Sequence, residues 1–269
     1  ANSMNDQGQL DQDDVVENIA IRNIAHRGAS AVAPENTFAA FESAIIARAS
    51  AVEMDLRATA DDRVVVMHDE TVDRTTNGVG AVAQLTLAEI QQLDAGTWFD
   101  ARFAGERVPL LEAAVERLGG RVPLVLHIKD AGCGIEQAVA QQVRQQEIAD
   151  RVTVSSHHRS VLARIRSLVP EVQTTWIVWF RDWRWWMWYV AARVRRLQVD
   201  RVGPRGDFVT TRMLRYFHDR GITVRAWGVG RDEQLASRLI GLGIDGMTFD
   251  DPARFWELCE AVKETTGDH

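Results

Sequence analysis

Four short apolar runs in this chain each end in ionisable side chains. Asn23-Ile24-Ala25-His26-Arg27 closes on a histidine and an arginine, with Gly28 next. Val52-Glu53-Met54-Asp55 delivers two carboxylates, and Val64-Val65-Val66-Met67-His68-Asp69 a second histidine. Leu124-Val125-Leu126-His127-Ile128-Lys129-Asp130 carries a third histidine and a lysine. Apolar strands with chemistry at their carboxyl ends mark a parallel α/β sheet or barrel whose site lies along that edge. The run at residues 64–68 stands apart. Only residues 57–63 separate it from the preceding strand, and a parallel crossover needs about a dozen residues or more. It is expected to be a hairpin partner of that strand. Without it, eight strands alternate with helical segments, so the expected fold is α/β, a distorted (β/α)8 TIM barrel with a hairpin and insertion after the second strand. No GxGxxG and no GKS/T loop occurs, so nucleotide-cofactor folds have no support.

A length of 269 residues with 46% hydrophobic content suits one large α/β domain. A net charge of −7 excludes the basic surplus of a nucleic-acid binder. Two cysteines, Cys133 and Cys259, exclude a disulfide scaffold. Residues 1–17 are polar and acidic and are expected to form a mobile tail, leaving 18–269 as a single catalytic domain. Residues 70–108 lack a clean period and are glycine-punctuated, and they read as an insertion over the active face. No signal sequence opens the chain, so a cytoplasmic or peripheral membrane location is expected.

Glu53 and Asp55 lie two apart on a strand, so both point to the same side of it. Like charges held together in a polar mouth repel unless a cation bridges them, and hard divalent cations such as Mg²⁺ or Ca²⁺ take oxygen ligands. An isolated pair of carboxylates or a single histidine is more often structural. The argument for a site is that His26, Glu53, Asp55, His68, His127 and Lys129 all fall at strand ends.

Several blocks carry a family resemblance. They are Ile24-Ala25-His26-Arg27-Gly28, Pro34-Glu35-Asn36-Thr37, Val52-Glu53-Met54-Asp55-Leu56, Val66-Met67-His68-Asp69, Arg74-Thr75-Thr76-Asn77-Gly78-Val79-Gly80 and Val108-Pro109-Leu110-Leu111-Glu112. Together with the closing block Asp245-Gly246-Met247-Thr248-Phe249-Asp250-Asp251-Pro252, this ordered series resembles the glycerophosphodiester phosphodiesterase family over residues 21–260. The resemblance implies hydrolysis of a phosphodiester to a phosphomonoester and an alcohol, with one divalent metal ion (Mg²⁺, Ca²⁺ or Mn²⁺) and two histidines. His26 and His68 would then be general base and acid, and Arg27 and Lys129 would hold the phosphate oxygens. Glu53 and Asp55 would hold the metal. A neighbouring substrate hydroxyl is the expected nucleophile, through a cyclic phosphate.

The departures bear on metal and substrate. Where the family has a third metal-binding glutamate, this chain has His127, and an imidazole suits a transition metal (Mn²⁺, Zn²⁺, Fe²⁺ or Co²⁺) better than Ca²⁺. The family's Trp-Thr-Val-Asn appears as Trp227-Gly228-Val229-Gly230, and Phe249 replaces a smaller polar residue. Residues 176–190 hold six of the nine tryptophans, with Arg193, Arg195 and Arg196 following. The stretch is too short and too charged to span a bilayer but has the composition of an interfacial helix. Trp227, Phe249, Trp179 and Trp183 are accordingly expected to face a substrate pocket or lipid, with residues 176–196 touching a membrane surface and a lysophospholipid as a possible substrate. Two rival readings remain open from sequence: a non-hydrolytic barrel that binds a phosphate or lipid ligand, and a carboxylate-based glycoside hydrolase.

Overall fold

The computed structural model describes residues 21–179 and 183–266, and gives backbone alone for residues 183–186 and 266. Nine strands form one sheet: β1 (Arg22–Ala25), β2 (Ala51–Ala58), β3 (Val64–Val66), β4 (Leu124–Ile128), β5 (Val152–Ser156), β6 (Gln173–Val178), β7 (Arg201–Pro204), β8 (Thr223–Gly230) and β9 (Gly246–Phe249). Eight run parallel in the order β1-β9-β8-β7-β6-β5-β4-β2, and the β1–β2 pairing closes the barrel. β3 is the exception. It lies antiparallel on the end of β2, with Leu56 opposite Val66, as the short connection requires.

Period-two alternation sorts each strand between the two sides of the barrel wall. Val52, Met54 and Leu56 of β2, and Leu124, Leu126 and Ile128 of β4, join the core between strands and helices. Trp176, Val178, Val202, Val224, Ala226, Met247 and Phe249 do so on the other half. The intervening positions face the barrel interior, and there the chain is polar: Glu53, Asp55, His127, Ser155, Thr175, Arg225 and Thr248 are all buried. The outward face carries the fold and the inward face carries the chemistry.

Helices α1 (Phe38–Ile46), α2 (Leu87–Ile90), α3 (Leu111–Leu118), α4 (Ile135–Gln145), α5 (Arg159–Leu168), α6 (Trp183–Leu197), α7 (Thr211–His218), α8 (Glu233–Gly241) and α9 (Pro252–Thr266) complete the elements used here. Thr37 caps α1, its hydroxyl accepting from the Ala40 amide. Asn36 sits one residue earlier with a left-handed φ of 57°, so it is free for another task. Residues 70–108 pack Val72, Val82, Ile90, Ala95 and Val108 against Val65 and Met67, a small core of their own on the β3 side of the barrel. No helix among the described residues is long and apolar enough to cross a membrane.

Gly28, with φ of +80°, lets the β1 loop lie against α1. A Cβ there would come within 2.6 Å of the Ala40 carbonyl carbon. Gly28→Ala therefore adds left-handed strain to a backbone clash and is expected to cost about 3 kcal/mol, read as a lowered thermal midpoint. An unchanged midpoint would show that the loop is not pinned by α1.

Candidate active site

The inward positions at the carboxyl ends of β1, β2 and β4 meet in one group. Asp55 on β2 is opposite His127 on β4 in register, and both face inward. His127 Nδ1 lies 3.1 Å from Asp55 Oδ1 and 3.5 Å from Glu53 Oε1. Glu53, Asp55 and His127 are each buried, and their donor atoms lie within 4.8 Å of one another. Spacings of this kind are those of adjacent ligands around one cation with bonds of about 2.1 Å, so the three residues fit a divalent metal.

Cations surround the two carboxylates. Lys129 Nζ is 3.0 Å from Asp55 Oδ1, and Arg27 Nε is 3.3 Å from Asp55 Oδ2. Burial pushes the Asp55 carboxyl up, but Lys129, His127 and Arg27 outweigh it and hold the group well below the usual carboxylate range. Glu53 is also held low: burial and the Asp55 charge raise it, and contacts with His127 and His26 prevail. Asn36 completes the setting. Its Nδ2 donates to Asp55 Oδ2 at 3.0 Å and its Oδ1 accepts from the Asp55 amide at 3.3 Å. The Arg27 amide, at a residue with φ of 58°, donates to Glu53 Oε2 at 2.9 Å.

The two other histidines share one arrangement. His26 Nδ1 is 2.7 Å from Asp250 Oδ1, and His68 Nδ1 is 2.6 Å from Asp69 Oδ1. Asp250 and Asp69 both lie below the ordinary aspartate value: burial raises Asp250 but the His26 contacts prevail, and Arg74 dominates at Asp69. Ionised carboxylates accept, so Nδ1 of each ring carries the hydrogen and Nε2 is the atom left to exchange a proton. Burial pushes His68 below the ordinary histidine value, with Lys129 and Arg27 assisting and Asp55 and Asp69 opposing. Arg74 Nε donates to Asp69 Oδ2 at 2.6 Å, and its Nη atoms donate to both oxygens of Glu35 at 2.8 Å. Glu35 Oε1 in turn accepts from Arg27 Nη1 at 2.7 Å. One run of ion pairs thus links His68 to Arg27 and so to Asp55.

An aromatic group adjoins Glu53, Asp55 and His127. The His157 ring is stacked on Trp179 at 5.6 Å, meets Trp227 edge-on at 5.8 Å, and lies 5.7 Å from His127. Trp179 and Trp227 pack edge-to-face at 4.6 Å. Burial above all, with Lys129 nearby, pushes His157 down to about 4, so its imidazole is neutral. His127 Nε2, His157 Nδ1 and Trp227 Nε1 are buried without a hydrogen-bond partner among the described residues.

The expected residues His26, Arg27, Glu53, Asp55, His68, His127, Lys129, Trp179 and Trp227 therefore belong to this end of the barrel. Phe249 does not. It is 1% exposed and packs on Phe255 outside the strands, because the inward positions of this segment are Thr248 and Asp250. The Trp183 side chain lies outside the described residues, as do residues 1–17. Asp250, Asp69 and Arg74 had no assigned role in the sequence reading. Inward alternation from Thr248 signals Asp250, whereas nothing in the sequence pairs Arg74 with Glu35. Both buried carboxyls are pushed below the usual carboxylate range, the direction opposite to that of a glycosidase acid.

A closed barrel carries at one end two histidines oriented by carboxylates, three residues that could hold a metal ion, and two cations of the kind that suit phosphate. The sequence matches the glycerophosphoryl diester phosphodiesterase family over residues 26–254, and the chain belongs to that family. It is 35% identical over 233 residues to the glycerophosphodiester phosphodiesterase of Caldanaerobacter subterraneus, covering 85% of this chain and 93% of that protein. The Oleispira antarctica phosphodiesterase solved with its product sn-glycerol-3-phosphate aligns with a TM-score of 0.81 at 28% identity, over 89% of this chain and 96% of that one. A glycerophosphodiester phosphodiesterase from Agrobacterium tumefaciens aligns with a TM-score of 0.75 at 29% identity, over 88% and 99% of the two chains.

Proposed function

We propose that the chain hydrolyses a glycerophosphodiester to a phosphomonoester and an alcohol, with His68 as general base and His26 as general acid, the reverse of the order the family resemblance suggested. The observation that carries this reading is the pair of imidazoles whose Nδ1 atoms are committed to carboxylates, leaving Nε2 for proton transfer. His68, depressed by burial, is neutral at pH 7 and so accepts the proton. Arg27 offers a fork and Lys129 a point charge to the phosphoryl oxygens. The neighbouring glycerol hydroxyl loses its proton to His68 as its oxygen bonds to phosphorus. The bond from phosphorus to the leaving alcohol breaks, and that alcohol takes a proton from His26. Water then opens the cyclic phosphate with the two roles reversed. Glu53, Asp55 and His127 would hold one divalent cation, which when bound neutralises charge gathering on the phosphoryl group. The glycerol phosphate held by the Oleispira relative supports a glycerol phosphate half of the substrate. Phosphorus NMR of glycerophosphocholine incubated with the chain tests this: glycerol phosphate and choline are expected. Glycerol and phosphocholine would overturn it.

A lysophospholipid is the second reading, favoured by Trp179. It is 59% exposed where it stacks over His157, and Trp188 on α6 is 70% exposed. Arg193, Arg195 and Arg196 follow on the same helix, so α6 has the aromatic and basic content of an interfacial helix. Of the expected stretch 176–196, Trp176, Ile177 and Val178 are buried in β6, so Trp179 and the exposed face of α6 around Trp188 are then the membrane contact. The chain is expected to co-sediment with vesicles containing anionic lipid, and Trp188→Ser to weaken that partition about fivefold. Equal recovery with and without vesicles would remove the membrane reading and leave the phosphodiesterase assignment intact.

A further inference from the structure

The opposite, N-terminal mouth of the barrel encloses a cavity of about 260 Å³. Arg22 and Arg201, at the starts of β1 and β7, line it together with Arg225 of β8. Arg225 is 9% exposed, yet its guanidinium forms no hydrogen bond or ion pair with any described residue. The partners of Arg201 are neutral: Nη1 donates to Thr153 Oγ1 at 3.1 Å and Nη2 donates to Gln173 Oε1. Asp245 is the carboxylate of the lining, and its Oδ2 already accepts from His218 Nε2 at 2.8 Å and from the Val224 amide at 2.7 Å. Three guanidinium groups therefore face one committed carboxylate.

A buried cation without a partner is costly and is retained where it meets a ligand or a counter-charge. Burial above all, with repulsion from Arg201 and Arg22 and some relief from Glu53, pushes Arg225 down to about 10. It stays charged at pH 7. We propose that this cavity is a second anion site, whose ligand is a phosphoryl oxyanion, either inorganic phosphate or the phosphate of a small phosphomonoester. Guanidinium forks match phosphate oxygens in pairs, and the volume admits a phosphate with a short carbon chain. The site lies on the opposite face from His26 and His68 and does not depend on the hydrolytic assignment.

Titration calorimetry at constant ionic strength tests it, using the full chain with Arg27→Met and Lys129→Met so that the catalytic end is silenced. Inorganic phosphate and sn-glycerol 3-phosphate are titrated separately. One equivalent is expected to bind, at least tenfold more weakly once Arg225→Met is added. Binding of both ligands supports inorganic phosphate as sufficient, and binding of glycerol 3-phosphate alone supports a phosphomonoester. In the otherwise wild-type chain, Arg225→Met is expected to raise the thermal midpoint by a few degrees without phosphate and to shrink the rise that phosphate produces to the part owed to the catalytic end. A midpoint that Arg225→Met lowers, with the phosphate-induced rise as large as in the wild-type chain, would overturn the proposal, because Arg225 would then be a counter-charge for Glu53. Phosphate binding that emerges only after Asp13→Asn, Asp14→Asn and Glu17→Gln would also overturn it, in favour of the acidic N-terminal segment.

Discussion

Replacing His68 by alanine is expected to lower kcat by about 10³-fold with little change in KM, the effect of removing a positioned proton acceptor. The ring is held by one short contact to Asp69, and Asp69 is fixed by Arg74. Asp69→Asn should thus cost less than the histidine itself, by leaving Nε2 basic but poorly aimed. The pH profile has a definite sign. A base must be unprotonated, and burial pushes His68 below the ordinary histidine value, so the acidic limb of kcat/KM falls below about pH 6.5. A cation bound near Asp55 would cancel the one charge that opposes this shift most, moving the limb further down. Steady-state kinetics on glycerophosphocholine from pH 4 to 9 reads both effects. An acidic limb above pH 7 that survives in His68→Ala would place the base elsewhere.

Asp55→Asn should be the most damaging single change, removing activity by about 10³-fold or more and stability by about 3 kcal/mol. Asp55 is 1% exposed and is the point on which Lys129, Arg27, His127 and Asn36 converge. An amide in its place leaves the Lys129 ammonium without its anion in a buried setting. In a chain of this size the loss corresponds to a fall of about 6 °C or more in the thermal midpoint. The pH dependence follows from the depressed carboxyl. Its contribution to wild-type stability is complete above the unfolded value of about 3.9 and is lost as pH falls through the lower folded value. Asp55→Asn should therefore flatten the acid end of the stability curve. A variant that keeps its midpoint and its activity would show that the carboxylate is not the hub of the group.

The barrel was legible because its signal is local and repeated. Each strand is an apolar run of ordinary length, and the seven-residue gap before residues 64–68 excludes a parallel crossover. The inward set was legible where ionisable residues stood alone among apolar ones, as at His26, Glu53, Asp55, His127 and Lys129. What escaped depends on three-dimensional closure. Phe249 was placed in the pocket from its position in a block, but a one-residue step in a strand changes faces, and its neighbours Thr248 and Asp250 are the inward ones. The Asp250 carboxylate reaches His26 across 224 positions because β9 pairs with β1. Arg74 and Glu35 meet only once the insertion folds over the β1 loop. His157 gave no periodic signal to separate it from the exposed His158, and its aromatic neighbours come from β8 and the segment after β6. Asn36, a good N-cap type just ahead of the helical run, reads from sequence as the cap of α1. Thr37 takes that role, which releases Asn36 to hold Asp55.

Glu53, Asp55 and His127 are proposed to form a single metal site serving phosphodiester hydrolysis. The most direct measurement is the metal content of protein purified without chelator, paired with the rate of glycerophosphocholine hydrolysis before and after EDTA. Close to one equivalent of a divalent metal per chain is expected. Chelation is expected to remove the activity and added metal to restore it, and His127→Ala to lose both metal and activity. Full activity in chelator with no bound metal would contradict the proposed site.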